Sequence, residues 1–556
     1  MRKFFSSLFF RQNSIKGASL ILMATLVTSN ILGLFRNRFL AQKLLQPDLD
    51  TYLAAFRLPD LVFNLLILGA ISSAFIPVFT NYLRKGDKKT AWHIANSVIN
   101  IAILSLIFFS IILAILMPQI MPKLVPGFTP ELKAQTVKLA QILLLTPLFF
   151  GISYILGGIL NSFKRFVVYS LAPLVYNISI ILATLLLADR FSVYGVAFGV
   201  VFGSFLHMVI QIPITKKLGF VWQPILDWRH SAVRKIGKLM IPRVIGLGSV
   251  QFILIFATFL ASLWSGHVTY FNFANDIQTF FSVVFGASFA IAVFPFLADS
   301  AAENDQKSFV KTFLVATKQI LYFIIPSMVL LILLRVEIVR LLLGTGHYGW
   351  QATVYTADCL GAFAVGLWAA SLIQLLARAF YAYEDTKTPA MISVISAVFT
   401  IGLAFVLSKT DLGQIHIFGL VFSTPLKSVG IAYAVSLGSM INAAVLAIIL
   451  RKRIGVVDGA GFGSVIVKYI FCAIVIGMVA QFSKVLIGSH VDMQTFVGVF
   501  IKTFGTIIIS FAVYILLTFL LKCEELSAFF EVFKKRVTPP EDVAIVQSVD
   551  SKQSQQ

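Results

Sequence analysis

About fourteen stretches of this chain are apolar for roughly 20 residues or more, near 17–43, 52–83, 91–117, 134–160, 167–188, 191–213, 236–264, 268–298, 309–334, 352–380, 388–408, 427–450, 465–488 and 496–522. A run of that length spans a bilayer as a helix, and inside lipid only a helix or a closed barrel satisfies its own backbone. With 58% of the 556 residues hydrophobic and 12% charged, the chain reads as an all-α polytopic membrane protein. The basic N-terminus, MRKFFSSLFFRQNSIKG, has no small-residue cleavage site, so the first run reads as a retained helix. Cys359, Cys472 and Cys523 lie in or beside apolar runs without metal-ligand spacing and read as core residues.

An even number of crossings puts both termini on one side. The N-terminus, the even-numbered loops and the tail carry about 28 of the 45 lysines and arginines, and the odd-numbered loops about 10. The positive-inside bias therefore places both ends in the cytoplasm. The net charge of +21 is mostly this topology signal, and nothing resembles a nucleic-acid-binding face. The segment after residue 525, rich in polar residues, is expected to be disordered.

A few charges remain inside the apolar runs, each costing about 2.5–3.5 kcal/mol at a helix centre. They include Arg36, Arg38, Arg57 and Arg243, with Asp60 and Asp276 in the same runs and Asp50 at the start of the second. Each also has a simpler reading. The arginines could snorkel or anchor at an interface. Asp50 could cap its own helix, Arg57 could pair with Asp60 or Asp50, and Asp276 could partner Arg243. Lys318, Lys468 and Lys502 read as snorkelling or as reaching a headgroup, and Asp385 as a helix cap. Acidic residues are too dispersed for metal or base chemistry, and the seven histidines are scattered. No metal site, cofactor or enzymatic activity is expected.

The chain also repeats itself. FRLPDLVFNLLILGAISSAFIPVF resembles FANDIQTFFSVVFGASFAIAVFPF, so that Asp60 matches Asp276 at an offset of 216 and Gly69 matches Gly286 at 217. Pro173 matches Pro389 at 216. Gly195 and Gly203 match Gly430 and Gly438 at 235, the extra 19 residues falling in the loop near 409–427. A repeat of six crossings inserts both copies in the same orientation. That predicts two six-helix lobes, 1–225 and 226–455, around a central cavity. Two further helices (456–525) and a tail (526–556) follow.

The ordered motifs ILGLFRNRFLA (31–41), LDTYLAAFRLPD (49–60), GAISSAFIPVF (69–79), ILNSFKRF (159–166), APLVYNISI (172–180) and ARAFYAYEDTKTP (377–389) carry a family resemblance. The sequence resembles the MurJ/MviN lipid II flippases of the multidrug/oligosaccharidyl-lipid/polysaccharide exporter superfamily, from about residue 14 to 525. The resemblance implies a bacterial inner-membrane protein that moves an undecaprenyl-pyrophosphate-linked peptidoglycan precursor, lipid II, to the outer leaflet. It implies a cationic cavity gripping the pyrophosphate and an apolar groove by segments 13 and 14 for the polyprenyl tail. A monomer suffices for that task. Arg36 matches a cavity arginine of the family, Arg57 a position often basic, and Asp50 an acidic position.

The chain departs from the family pattern as well. Asn30 stands where a second arginine is usual, Asn37 replaces a carboxylate, Phe63 and Asn64 replace a basic pair, and Leu68 replaces an acidic residue. Asp276 stands at an arginine position, and Ala257 at that of a sodium-binding carboxylate. Arg38 and Arg243 are additional charges. The expected site is therefore Arg36, Arg38, Arg57 and Arg243 toward the pyrophosphate, Asp50, Asp60 and Asp276 as acidic or coupling groups, and Asn30 as a polar wall. The alternatives are a flippase for another lipid-linked oligosaccharide, a drug or cation antiporter of the superfamily, or a membrane protein that has lost transport. Reporter fusions check the topology: an alkaline phosphatase domain fused after residue 87 or 525 should be inactive, and one fused after residue 128 active.

Overall fold

The computed structural model describes residues 15–68, 75–410, 415–417, 420–422, 426–455, 462–523 and 525. Gly69, used above to align the repeat, and the tail after 525 lie outside them. The described chain is helical apart from a two-stranded antiparallel ladder, β1 (Ile415–Ile417) with β2 (Leu420–Phe422), in which His416 faces Val421.

The helices follow the apolar runs. They are α1 (Ile15–Lys43), α2 (Gln46–Ala55), α3 (Arg57–Phe63), α4 (Ile76–Arg84), α5 (Lys88–Leu124), α6 (Pro130–Leu143), α7 (Thr146–Ser162), α8 (Phe166–Val209) and α9 (Ile212–Lys217). The second half comprises α10 (Ser231–Ala261), α11 (His267–Phe281), α12 (Ser288–Ala302), α13 (Gln306–Leu333), α14 (Arg335–Leu343), α15 (Trp350–Ala382), α16 (Lys387–Lys409), α17 (Lys427–Ile454), α18 (Phe462–Gly488) and α19 (Phe496–Leu520). Ten helices among the described residues are long and apolar enough to cross a membrane. Large apolar side chains such as Phe108, Ile115, Leu186, Phe482 and Phe519 are exposed, as lipid-facing residues must be. Two of the expected runs, 167–188 and 191–213, fuse into α8. Ser192, at φ 47° and ψ −139°, breaks it into two arms.

The repeat is legible in the backbone. Asp87 caps α5 by accepting from the Thr90 amide, and Asp305 caps α13 by accepting from the Ser308 amide, 218 residues on. Ser192 and Lys427 both adopt positive φ at an offset of 235, and Lys164 and Glu384 do so at 220. One π-helical segment, Asn64–Leu68, follows α3, and another, Ser282–Ala287, follows α11. Such insertions widen a helix locally and break its hydrogen-bond ladder.

Two ends of the molecule can be told apart by contact. At one end Lys43 meets Asp189 (2.6 Å), and Asp48 accepts from Gln135 (2.7 Å) and Ser192 (2.9 Å). At the other, the basic end, Arg453 meets Asp385 (2.9 Å) and Gln306 reaches the Ile454 carbonyl. There Asp385 accepts from the Thr388 amide at 3.0 Å, the cap expected of it. The linker between the repeats is bound to α5 at this end. Asn96 accepts from the Gln223 amide (2.8 Å), and Asn100 donates to the carbonyls of Gln223 and Ile225 (2.8 Å each). A hydrogen bond from His93 holds the Asp227 carboxyl in that linker below the usual carboxylate range.

Close helix packing explains the repeat's glycines. α15 packs on α17, α16 on α17, and α8 on α1 and α7. A Cβ on Gly199 would lie 2.0 Å from that of Ala183, and one on Gly438 would lie 1.9 Å from Thr400 Oγ1. Without hydrocarbon–water contrast between them, helices in lipid associate through such close contacts. α18 and α19 pack on each other and on the outside of α13 and α14. Buried Glu337 of α14 receives both Lys484 (3.2 Å) and Lys502 (3.0 Å), while Lys468 donates to the Leu521 carbonyl (2.9 Å). Lys468 and Lys502 are thus internal ties, contrary to their reading as snorkelling residues. Replacing Gly366, whose Cβ would lie 2.6 Å from Ser436 Cα, by Ala should destabilise the α15–α17 contact by about 1–3 kcal/mol. The measurement is a lower melting temperature of the purified protein, with Gly402→Ala, which meets nothing within 4 Å, unchanged.

Candidate functional site

The charges kept inside the apolar runs gather at the seam where α1–α3 of the first repeat meet α10 and α11 of the second. A buried charge is tolerable only when paired and hydrogen-bonded, and here the partners come from other helices.

Asp50 is buried, but it does not cap its own helix. Its Oδ2 accepts from the Gly266 amide (2.6 Å), and its Oδ1 accepts from the Thr269 amide (2.9 Å) and hydroxyl (2.6 Å). It therefore supplies capping acceptors to the start of α11, whose N-cap residue is Gly266, from the other repeat. The free amides and positive end of the helix hold a carboxylate there. Gly266 sits at φ +83°, and a Cβ on it would meet the Tyr270 hydroxyl at 2.5 Å.

Arg57 lies one turn deeper and is also buried. Its Nε donates to Thr258 Oγ1 of α10 (2.6 Å) and its Nη2 to Asn272 Oδ1 of α11. It forms no ion pair with Asp60 or Asp50 among the described residues. Asp60 is half-buried, and its backbone carbonyl accepts from Asn64 Nδ2 at 2.7 Å.

Arg36 lies on α1. Its Nε and Nη2 donate to Asn37 Oδ1 (3.3 and 3.1 Å), and its Nη1 donates to Asn177 Oδ1 of α8 (3.3 Å). Nη2 is 3.7 Å from Asp276 Oδ2 of α11, the side chains being 24% and 40% exposed. Asn37 Nδ2 donates to the same carboxylate oxygen at 2.8 Å. Asn177 is itself held by the Pro173 carbonyl (3.1 Å) and by Ser29. Neutral amides thus aim the guanidinium without cancelling its charge, leaving a partly exposed cation at the seam.

The remaining expected residues do not join this cluster. Arg38, two positions on, points to a different face of α1. It donates to the Leu341 carbonyl of α14 and lies over the Phe496 ring, 5.3 Å from its centroid. These contacts tie it to α14 and α19 and keep it apart from the Arg36 and Arg57 cluster. Asn30 donates to its own helix at the Leu26 carbonyl (2.8 Å) and does not reach the cluster. The side chain of Arg243 lies outside the described residues. The amide and hydroxyl partners Asn177, Thr258, Thr269 and Asn272 were not legible in the sequence. Uncharged polar residues carry no insertion penalty conspicuous enough to mark them, although Asn177 falls within the APLVYNISI motif.

A separate cavity of about 810 Å³ lies toward the basic end, lined mainly by apolar side chains such as Phe313, Leu321, Trp368, Leu372 and Ile466, with Arg451 at its edge. Its walls come from α13, α15, α17 and α18, with none from α19. The cavity is thus walled by segments 9, 10, 12 and 13, and segment 14 contributes nothing to it. Among the described residues no group of three or more His, Cys, Asp or Glu side chains could hold a metal.

Comparison with known proteins fits this architecture. The chain is 27% identical over 442 residues to the probable lipid II flippase MurJ of Vibrio cholerae, covering 77% of this chain and 81% of that protein. It is 26% identical over 530 residues to the corresponding protein of Bdellovibrio bacteriovorus, covering 93% and 96%. Among solved structures, a lipid II flippase MurJ in an inward closed conformation superposes with a TM-score of 0.71 at 22% identity, covering 90% of this chain and 98% of that one. An inward-facing multidrug-resistance MATE transporter reaches 0.63 at 14% identity, covering 79% and 99%.

Removing the Asp50 cap should loosen the seam. With spin labels at exposed positions 45 and 263 (all three native cysteines being buried), Asp50→Ala should shift the distance distribution toward longer values, by about fivefold in population for a cap worth about 1 kcal/mol. The family model described as lipid II flippase MurJ matches residues 45–517, and the chain belongs to that family.

Proposed function

We propose that this protein carries lipid II, the undecaprenyl-pyrophosphate-linked peptidoglycan precursor, from the cytoplasmic to the outer leaflet, in support of cell-wall synthesis. The observation that carries the reading is Arg36. It is a guanidinium positioned by Asn37 and Asn177 and partly exposed at the seam between the two repeats, in a chain of the lipid II flippase family. A diphosphate drawn through a low-dielectric interior needs fixed positive charge, and a guanidinium offers phosphate a planar bidentate fork.

The mechanism follows from the seam. Residues 1–225 and 226–455 act as two lobes, together with 456–525 making fourteen crossings with both termini in the cytoplasm. The Asp50 cap on α11 and the Arg57 links to Thr258 and Asn272 close the lobes at the end away from the basic loops. In this reading that end faces outward, and the substrate enters from the basic side. Rocking of the lobes breaks these links and releases the headgroup outward, the alternating access that parallel repeats permit. The cavity walled by α13, α15, α17 and α18 receives the polyprenyl chain. The protein works as a monomer, without cofactor, and makes or breaks no covalent bond.

Replacing the lipid II flippase of a depletable bacterium with this protein should sustain growth. Arg36→Ala at equal membrane abundance should give lysis. Growth with both would remove Arg36 from the mechanism, and lysis with both would count against lipid II as the substrate.

A further inference from the structure

Two ties across the seam, and the Arg38 tie to α14 and α19 beside it, differ in kind from the Arg36–Asp276 contact. Asp50 is fully engaged by two amides and a hydroxyl, and Arg57 is buried between a hydroxyl and an amide. Arg38 is committed to a backbone carbonyl and an aromatic face. The Arg36–Asp276 contact is loose. At 3.7 Å it is longer than a hydrogen bond, and both side chains are partly exposed. What orients Asp276 is the neutral amide of Asn37, at 2.8 Å. The remaining groups bonded to the guanidinium, Asn37 and Asn177, are uncharged, so among the described residues Asp276 is the one formal negative charge in contact with it. Arg57, Asp60, Tyr52 and Tyr176 also lie within the electrostatic surroundings.

We propose that Asp276 occupies the Arg36 guanidinium as an internal stand-in for the substrate's phosphate, so that diphosphate binds by exchange and thereby severs the α1–α11 bridge. The inference rests on the diphosphate reading of Arg36. Both anions are drawn to the same guanidinium, and a carboxylate left beside a bound diphosphate is repelled by it. Asp276 must therefore turn away when the substrate arrives. It is on α11 of the second repeat, whereas Arg36 and Asn37 are on α1 of the first, so the exchange removes an inter-lobe contact at the moment of loading. Binding and lobe mobility are then linked, each favouring the other by the same factor. The cost is affinity: an arginine at this position would add to the grip, whereas Asp276 competes with it.

The test is the binding of undecaprenyl diphosphate to the purified full-length protein in detergent, at low salt, by microscale thermophoresis. Asp276→Asn is isosteric and keeps a hydrogen-bonding partner for Asn37, so the fold is preserved. It should tighten Kd by about fivefold, the upper range for a partly exposed ion pair. The gain should disappear in the Arg36→Ala background, because the competitor then has nothing to occupy. If Asp276→Asn leaves Kd unchanged or weakens it while Arg36→Ala abolishes binding, the exchange is overturned and the diphosphate site stands. If the wild type and Arg36→Ala bind equally, or neither binds while both remain folded and monodisperse, the exchange falls together with the site it depends on. A gain in Asp276→Asn that persists without Arg36 also overturns it, since the effect would then be general repulsion.

Discussion

The structure depends on a carboxylate of one repeat capping a helix of the other. The amides at the start of α11 must be satisfied, and water is not available to a buried helix end. Asp50 supplies the acceptors, and the positive end of the helix dipole in turn makes burial of that carboxylate tolerable. Neither repeat can complete this arrangement alone. Arg57 extends it one turn inward with Thr258 and Asn272. Below these, the seam passes from fully buried, fully bonded charges to the looser, partly exposed Arg36 and Asp276. The gradient separates a closed end, where charge serves cohesion, from a region where charge can meet a ligand.

The two repeats use common local chemistry for different ends. Matching aspartates cap α5 and α13, matching positive-φ residues break the chain at Ser192 and Lys427, and π-helical segments follow both α3 and α11. The matching side chains at the seam have diverged. Asp60 and Asp276 occupy equivalent positions, yet among the described residues only Asp276 touches an arginine. Duplication supplies a symmetric frame, and single side chains then decide which contacts form across the seam.

Much of this was legible in the sequence, and for physical reasons. Apolar runs of about 20 residues leave a lipid-embedded backbone no solution but helices, so the fold class follows from hydropathy alone. The charges inside those runs are expensive enough to mark Arg36, Asp50, Arg57 and Asp276 as residues with partners. The glycines at 195, 203, 430 and 438 marked the repeat before any helix pair was known. The ordered motifs placed the chain in its family.

What the sequence could not supply was direction. It could not show that Asp50 caps α11 rather than its own helix, since the choice depends on which helix end the fold brings within 3 Å. It could tell that Arg36 and Arg38, two positions apart, do not share a face of α1, but not where the second guanidinium goes, which the packing of α14 and α19 decides. It was silent on Asn177, Thr258 and Asn272, whose modest polarity becomes decisive only beside a buried charge. The sequence by itself determined that the chain is a helical membrane protein, that it is built twice over, and which charges needed partners. The tertiary structure alone decided the partners, because a hydrogen bond is a matter of a few tenths of an ångström between residues up to 239 positions apart.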